Sequence, residues 1–256
     1  MNNSLIVSIC IPCYNSPETF IRLFNSIRIQ TFHNYEIVIT DDSCDDCIKN
    51  VISNYEAEQR LIYVKNEIRL GAVRNCNKAL TLASGKYIKI MHDDDWFSAK
   101  DSLVKFVNMM NSDDKVVLAF SGSNEVSTDS MHSRSISDAK MERMLETPFN
   151  LIYGNYIGAP SATIFKKNNL QFDEKLRWIV DIDFYIQMLK LNNNFAETRE
   201  ALVNIGINSE QETNACKHNK SLVRKEFFYL CKKYKLFRYK RYWHRILETV
   251  VYGRDY

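Results

Sequence analysis

The sequence predicts an α/β fold in which a single, Rossmann-like and mostly parallel sheet is flanked by helices, with a basic helical C-terminal segment. In the first half of the chain, strand-like and helix-like patterns alternate with short connections, which is typical of right-handed β-α-β units. The first strand-like pattern, residues 5–11, is almost continuously apolar, as expected for a strand that is covered on both faces.

The further elements follow in order. Ser16 and Pro17 supply a cap and a first-turn proline for a helix that ends near residue 30. Residues 121–140 are polar and poor in large apolar side chains, so we expect a long mobile loop there. The remaining predicted strands are residues 35–40, 61–65, 86–91, 116–120, 158–165 (with a turn) and 201–207. The remaining predicted helices are residues 46–57, 71–83 and 181–191.

The 256 residues are enough for one well-buried core, and we divide them into two halves of one domain, residues 1–120 and 121–212, and a tail, residues 213–256. No apolar run has the length of a membrane span, and the first residues lack a signal-like basic start, so a cytoplasmic location is expected. The seven glycines include no G-x-G-x-x-G pattern, which argues against a dinucleotide-binding site.

Seven cysteines, an odd number, favour reduced thiols over a disulfide framework. Two C-x-x-C pairs, Cys10 with Cys13 and Cys44 with Cys47, could together form a four-thiolate zinc site. Cys10 lies in the first predicted strand, however, where an offset of three residues points two side chains to opposite faces. We therefore favour buried thiols over zinc.

The tail carries concentrated positive charge. Between Cys216 and Arg245, 11 Lys and Arg residues stand against one acid, Glu226, and eight side chains are aromatic. Two interpretations stay open: a surface that binds the anionic inner leaflet of a membrane, or a helical appendage that packs its aromatic rings on the core. Nothing else in the chain favours nucleic acid, so no nucleic-acid partner is expected.

The acidic motif, His92-Asp93-Asp94-Asp95-Trp96, directly follows the predicted strand at residues 86–91. Adjacent carboxylates repel one another and resist burial. Mg²⁺ and Mn²⁺ prefer such oxygen ligands, and ligands of open α/β sheets bind beyond the carboxyl ends of the strands. The motif therefore predicts a site for Mn²⁺ or Mg²⁺, with a solvated acidic turn as the alternative.

Five segments in order carry a family resemblance: residues 7–15, 26–32, 35–43, 71–75 and 83–88. In their joint order and spacing they resemble the family 2 inverting glycosyltransferases of GT-A fold, the group that builds bacterial surface polysaccharides. The likeness extends over roughly residues 5–210. It implies a GT-A type fold in which residues 1–120 bind a nucleotide-sugar and residues 121–212 bind the acceptor and hold the catalytic base.

The resemblance implies roles for residues that follow the first strands. Pro12 and Tyr14 would line the nucleotide site, with the Tyr14 ring stacked on uracil. Asp42 would contact the edge of the base, and Arg74 would contact nucleotide or diphosphate. Ordinary roles stay open for them as well: a core-edge tyrosine, a turn-forming or capping aspartate and a solvated helix arginine.

The acidic motif departs from the family's commonest form, which has an Asp where this chain has His92. The resemblance assigns Asp94 to the metal and the diphosphate, and Asp95 to the metal from the loop. Asp93 would contact the ribose or a second metal position. For His92, a packing or hydrogen-bonding role is favoured over contact with the nucleotide.

The family keeps its general base in a Glu-Asp pair at the start of a helix, and the matching pair here is Val180-Asp181. Asp181 therefore falls at the position of the base, which would accept a proton from the acceptor hydroxyl. Asp183 would hold the helix start or contact the acceptor, and Asn208 and Gln211 would lie in a flexible loop near the substrates. Ordinary helix-terminal carboxylates and polar loop residues are the alternatives.

Together these features predict a metal-dependent inverting glycosyltransferase. It would move a hexose from a nucleotide-sugar, first of all a UDP-sugar, to a polyprenyl-diphosphate-linked saccharide in O-antigen or capsule synthesis, with the tail on the inner face of the bacterial inner membrane. One alternative, a sugar-1-phosphate nucleotidyltransferase, should carry a glycine-rich basic loop that residues 12–17 lack. The other, a catalytically silent sugar-nucleotide or glycan-binding module, fits the absence of acids at positions 92 and 180.

Overall fold

The computed structural model describes residues 5–53, 60–207, 216 and 219–251. Its strands are β1 Val7–Cys13, β2 Tyr35–Asp41, β3 Leu61–Lys65, β4 Tyr87–Ile90, β5 Trp96–Phe97, β6 Leu118–Val126, β7 Met131–Arg134, β8 Thr163–Lys166 and β9 Phe195–Gly206. Its α-helices are α1 Pro17–Arg28, α2 Cys47–Ile52, α3 Ala72–Leu82, α4 Ser102–Met110, α5 Asp138–Glu146, α6 Val180–Leu191, α7 Lys220–Lys233 and α8 Trp243–Ile246.

The strands form one sheet in the order β3-β2-β1-β4-β8-β6-β9-β5, with β7 paired to β6. Pairing is parallel from β3 through β2 and β1 to β4, and again between β6 and β9. The shorter β8 runs antiparallel to both β4 and β6. The predicted mostly parallel sheet flanked by helices is therefore confirmed. The division proposed at residue 120 falls within β6, so both halves contribute strands to the same sheet.

Buried side chains cover both faces of this sheet. Ile9, Ile11 and Cys13 of β1 pack in one cluster with α1 and α4, while Cys10 packs in the other cluster with α3 and α6. Cys10 and Cys13 therefore point to opposite faces of the sheet, as predicted from their offset of three residues. Among the described residues, the side chains that could jointly hold a metal include no cysteine.

The prediction of a long loop at residues 121–140 is wrong. β6 continues to Val126, a hairpin leads to β7, and α5 begins at Asp138. The segment is polar because β7 is a solvent-exposed edge strand, and because β6 uses small residues where its neighbours approach closely. At Gly122, for example, a Cβ atom would lie 2.5 Å from the Arg199 carbonyl oxygen.

Other boundaries differ less from the prediction. α4 and β5 were not predicted, and β9 begins at Phe195, six residues before the predicted start at 201. The Ser16 hydroxyl donates to the Tyr14 carbonyl rather than capping α1. α2 begins as predicted, but residues 54–59 lie outside the described part of the chain.

The aromatic side chains of the tail divide into two sets. Phe227, Tyr234 and Tyr242 are buried in the same cluster as α6, which fits the packing interpretation. A second set is exposed and consists of Phe228, Phe237, Tyr239 and Trp243. Within the described part of the chain, no helix combines the length and apolar character needed to cross a membrane.

Candidate active site

The carboxyl ends of β1, β2 and β4 lie side by side, so the residues that follow these strands meet at one edge of the sheet. The backbone N–H of Tyr14, just after β1, donates to Asp93 Oδ2 at 3.0 Å. Asp42 follows β2, and its N–H donates to the Cys13 carbonyl at 3.0 Å. The fold thus brings together Tyr14, Asp42 and the acidic motif, as the sequence predicts. Pro12 lies within β1, opposite Thr40.

Two of the three carboxyl groups of the acidic motif, those of Asp93 and Asp95, are poorly solvated. Burial raises the pKa of Asp93 to about 7, although the N–H of Tyr14 acts in the opposite direction. Asp95 is 1% exposed and accepts a hydrogen bond from the Gly206 N–H at 3.1 Å. Burial and the neighbouring charge of Asp94 raise the pKa of Asp95 as well. Negative charge at this edge is therefore costly unless a cation accompanies it.

A divalent cation fits this set of ligands. One ligand atom from each of His92, Asp94 and Asp95 lies within 4.8 Å of the others. The His92 Nδ1 atom is 3.9 Å from Asp95 Oδ2. Two carboxylates suit hard cations such as Mg²⁺ or Mn²⁺, and an added imidazole nitrogen suits transition metals.

The backbone of the acidic motif is held from three directions. Arg22 of α1 donates to the Asp94 carbonyl at 2.8 Å, and its guanidinium lies 3.7 Å from the centre of the Trp96 ring. The Ser161 hydroxyl accepts from the His92 N–H at 3.0 Å. At Gly206, a Cβ atom would lie 2.5 Å from the Asp94 carbonyl oxygen, so β9 approaches this closely only because residue 206 is a glycine.

A buried cation lies near the motif. Lys89 of β4 is fully buried, its ammonium group donates to the Ser161 carbonyl, and it lies 4.5 Å from the centre of the Phe106 ring. Burial lowers the pKa of Lys89 to about 7, and the charge of Asp95 opposes that shift. Lys89 and Asp95 therefore interact electrostatically within the buried part of the site.

Asp42 organises the loop that leads into α3. Its carboxylate accepts from the Asn66 amide at 2.6 Å, from the Leu70 N–H at 3.0 Å and from the Gly71 N–H at 2.7 Å. The loop in turn places the Arg69 guanidinium 4.0 Å from the centre of the Tyr14 ring. Asp42 thus holds the loop before α3 without capping that helix, whose N-cap residue is Gly71, and contact with a base stays a prediction.

Arg74 and Tyr14 are both accessible to a ligand. The Tyr14 side chain is 40% exposed, although Arg69 covers one face of its ring. The Arg74 Nε atom donates to Glu174 Oε2 at 2.8 Å on the surface. Contact between Arg74 and a nucleotide or diphosphate therefore stays a prediction. In such a contact Arg74 would leave Glu174 or bind Glu174 and the ligand together.

Asp181 lies in the first turn of α6. Burial raises the pKa of the Asp181 carboxyl to about 6, and the charge of His92 opposes this shift. Asp181 also interacts electrostatically with Cys76 and Tyr185, whose pKa values burial raises. Asp181 is thus a stronger base than an ordinary aspartate, and it interacts electrostatically with the acidic motif. Both properties suit proton abstraction.

Asp183 is fully buried and is engaged by other protein groups. It accepts hydrogen bonds from Gln187 Nε2, Lys233 Nζ and the Tyr234 hydroxyl at 2.7–2.8 Å. These contacts fit the predicted role of holding the helix start. Asn208 and Gln211 lie outside the described residues.

Sequence reasoning missed several residues of this site. Arg69, Ser161 and Lys89 have ordinary sequence contexts that gave no signal. Gly206 could have been noticed as a glycine inside a predicted strand, which often marks a close approach of backbone.

Comparison with known proteins bears on both fold and family. Residues 8–177 match the sequence model of the family described as Glycosyl transferase family 2. Over 98 residues the chain is 38% identical to the Escherichia coli UDP-Glc:alpha-D-GlcNAc-diphosphoundecaprenol beta-1,3-glucosyltransferase WfaP, covering 38% of this chain and 39% of WfaP. The match spans 62% of the length of the Mycobacterium tuberculosis relative MT1568 and 39% of the length of WfaP.

Two solved structures share the fold. TarS 1-349 of S. aureus in complex with UDP-GlcNAc superposes with a TM-score of 0.66 at 19% identity, over 86% of this chain and 65% of TarS 1-349. The mannosyltransferase PcManGT of Pyrobaculum calidifontis, in complex with GDP-Man and Mn²⁺, gives 0.65 at 16% identity, over 96% of this chain and 69% of PcManGT. The predicted GT-A type fold is therefore confirmed, and because the family match spans more than half of the sequence, the chain belongs to glycosyltransferase family 2.

Proposed function

We propose that this chain transfers a hexose, with inversion, from a UDP-sugar to a polyprenyl-diphosphate-linked saccharide during assembly of a bacterial surface polysaccharide, O-antigen or capsule. The observation that carries the proposal is the cluster of His92, Asp94 and Asp95 beyond the end of β4, whose ligand atoms lie within 4.8 Å of one another. Burial raises the pKa of Asp181 and the charge of His92 opposes that shift, which supports Asp181 as the candidate base of the same site. The name of WfaP, which specifies a UDP-sugar and a diphosphoundecaprenol acceptor, supports this choice of substrates.

On the donor side, His92, Asp94 and Asp95 would hold Mn²⁺ or Mg²⁺. When bound, such an ion neutralises charge that develops on the departing diphosphate. Tyr14 would offer its exposed ring to the uracil, and Arg69 beside it adds a positive charge suited to the diphosphate. Mn²⁺ in the PcManGT complex supports a metal at this site.

On the acceptor side, Asp181 would act as general base. As the acceptor hydroxyl oxygen attacks the anomeric carbon opposite the leaving diphosphate, its proton passes to an Asp181 carboxylate oxygen. The bond from the anomeric carbon to the diphosphate breaks in the same step, so the configuration inverts. A pKa near 6 leaves this carboxyl ionised at neutral pH while making it more basic than a solvated aspartate.

The exposed aromatic residues of the tail support membrane binding. Four exposed aromatic residues lie among the Lys and Arg residues of the tail and are here called the aromatic–basic patch: Phe228, Phe237, Tyr239 and Trp243. The Phe228 and Phe237 rings are 5.4 Å apart, and the Trp243 indole donates to the Phe237 carbonyl at 2.8 Å. Aromatic rings beside cations suit the headgroup region of an anionic leaflet, where the lipid-linked acceptor would be held.

The first experiment is a donor screen with purified protein. UDP-, GDP- and dTDP-sugars are combined with Mn²⁺ or Mg²⁺ and a synthetic GlcNAc-diphosphate-lipid, and nucleotide release and product mass are followed. We expect UDP release with a hexose-extended lipid, abolished by EDTA and by Asp181→Asn. Asp114→Asn, the same change at an exposed side chain, should leave the rate unchanged. Tight UDP binding without product from any pair would favour a silent binding module instead.

Membrane binding is tested separately by co-sedimentation with vesicles. Phosphatidylglycerol vesicles should retain the protein, with weaker retention at high salt and on phosphatidylcholine. The double variant Phe237→Ser/Trp243→Ser should lose most of this binding, whereas Leu145→Ser, at an exposed apolar position on α5, should not. Equal binding by both variants would contradict the assignment of the patch.

A further inference from the structure

Glu226, the one acid in the basic segment, is buried. It lies on α7, where it is 3% exposed. Its two carboxylate oxygens accept hydrogen bonds from three successive backbone N–H groups: Arg177 at 2.8 Å, Trp178 at 2.9 Å and Ile179 at 3.1 Å. A side chain from the tail therefore holds the backbone immediately before α6.

This arrangement acts at the start of the helix that carries the candidate base. The N–H group of the N-cap residue, here Ile179, has no partner within the helix, and the N-terminus of a helix favours negative charge. α6 begins at Val180, one residue after Ile179, and Ile179 has no side-chain acceptor of its own to offer. Glu226 fixes the approach of the chain to α6 at the three residues directly before it.

The tail makes a second contact at Asp183, two residues after Asp181 in the sequence. Lys233 Nζ is 2.8 Å from Asp183 Oδ2, and the Tyr234 hydroxyl donates to Asp183 Oδ1 at 2.7 Å. α7 and the residue after it, Tyr234, therefore contact the chain on both sides of Asp181 in the sequence. The contacts are at the N–H groups of residues 177–179 and at the carboxylate of Asp183.

We propose that Glu226 is a positioning residue for the Asp181 carboxylate, and that the tail thereby completes the acceptor side of the active site. The inference rests on the proposed role of Asp181 as general base. Glu226 touches no substrate in this proposal. It acts by fixing the first turn of α6, and both Asp181 and Glu226 lie outside residues 8–177, which match the family.

The physical consequence of losing Glu226 follows from its contacts. The three N–H groups would need other hydrogen-bond acceptors, and water can supply them. Water would therefore enter beside the first turn of α6. Asp181 would become better solvated, and its pKa would fall toward that of an ordinary aspartate because burial is the main cause of its elevation. His92, Cys76 and Tyr185 would continue to face it. A displaced and weaker base slows proton abstraction without weakening donor binding.

The test compares Glu226→Gln with Glu142→Gln, the same change at an exposed position on α5. With UDP-glucose, Mn²⁺ and the GlcNAc-diphosphate-lipid, Glu226→Gln should lower kcat by about 10- to 100-fold, as misplaced catalytic groups do. The KM for the donor should stay within about two-fold, and the acidic limb of the kcat profile should move to lower pH. Glu142→Gln should match the unsubstituted protein. An unchanged kcat and pH profile in Glu226→Gln would overturn the proposal.

A measurement without substrate makes the outcome independent of the donor. The Asp181 carboxyl is titrated by carbon-13 NMR, with its signal assigned through Asp181→Asn. Glu226→Gln should lower the pKa of Asp181, and Tyr234→Phe, which removes one hydroxyl that contacts Asp183, should shift it in the same direction by less. An unmoved Asp181 pKa in both variants would overturn the inference. If Asp181→Asn instead retains full transfer activity, the base assignment fails, whereas a shifted pKa would still show that Glu226 positions Asp181.

Discussion

Two buried glutamates, Glu36 in β2 and Glu226 in α7, brace different parts of the chain: Glu36 lies near the amino ends of β1 and β2, away from the acidic motif, and Glu226 contacts the residues directly before α6. Each is 3% exposed and accepts several hydrogen bonds. Glu36 accepts from the Ser8 hydroxyl and the Ser84 N–H at 2.6 Å, so it ties β1 and β2 to the turn before β4. Glu226 accepts from residues 177–179, about fifty positions earlier in the chain.

The difference shows which part of the fold each contact stabilises. The hydrogen-bond donors to Glu36, Ser8 and Ser84, lie in segments that carry the family likeness, so Glu36 braces β1 and β2 against the turn before β4. In the proposed assignment, the acceptor side depends on Glu226, which lies outside the family match, and changes in the tail should reach catalysis without touching the donor site.

The largest effect is expected on the donor side, at Asp94. Asp94→Ala should lower transfer by about 1000-fold or more and abolish its dependence on Mn²⁺ or Mg²⁺, because the diphosphate would lose its counter-ion. Thermal stability should hold or rise, since the variant removes a charge that disfavours ionised Asp93 and Asp95. Asp129→Ala, at an exposed position, is the matched control. Undiminished, metal-stimulated activity in Asp94→Ala would refute the metal assignment.

The next effect separates site geometry from general packing. Gly206→Ala places a Cβ atom 2.5 Å from the Asp94 carbonyl oxygen, so the acidic motif must shift. We expect kcat to fall by about 100-fold, in line with an ångström-scale displacement of catalytic groups. Gly85→Ala is the comparison, because its Cβ atom would meet the Ser8 backbone N–H at 2.6 Å, beside Glu36 and away from the motif. Gly85→Ala should lower Tm, while the folded fraction of the variant keeps its kcat. Equal losses of kcat in the two variants would contradict a specific effect of Gly206 on the acidic motif.

The comparison of the two glutamates itself predicts a contrast. Glu36→Gln should lower the free energy of unfolding by about 2 kcal/mol, because an amide nitrogen would face hydroxyl and N–H donors in a buried site. Urea unfolding measures that loss. The pH profile of kcat should be unaffected, unlike that of Glu226→Gln. A shifted profile in Glu36→Gln would mean that the contacts of Glu36 also position the base.

The sequence predicted the first four strands better than the elements that follow residue 120, and the reason is physical. β1, β2, β3 and β4 are short, locally bounded runs whose apolar or β-branched residues specify a strand without distant partners. The polar edge strand β7 has no such local signal, because its state is decided by pairing with β6.

The same reasoning applies to individual site residues. Tyr14, Asp93 and Asp94 follow strand ends, so topology alone brings them together. The contact between Glu226 and the start of α6 joins residues from separate segments of the chain, and no periodicity encodes it. Composition could show only that an acid stood among basic residues.

The smallest predicted effect concerns pH and probes the acceptor side in the unsubstituted protein. Burial raises the pKa of Asp181 to about 6, and a general base acts only when deprotonated. At saturating donor and metal, kcat should therefore be nearly constant above pH 7 and fall roughly ten-fold between pH 7 and pH 5. An ordinary solvated aspartate would lose little activity over that range, because its pKa is about 4. A flat kcat down to pH 5 would mean that Asp181 is either well solvated during turnover or not the base, and Asp181→Asn activity at pH 7 would decide between these two.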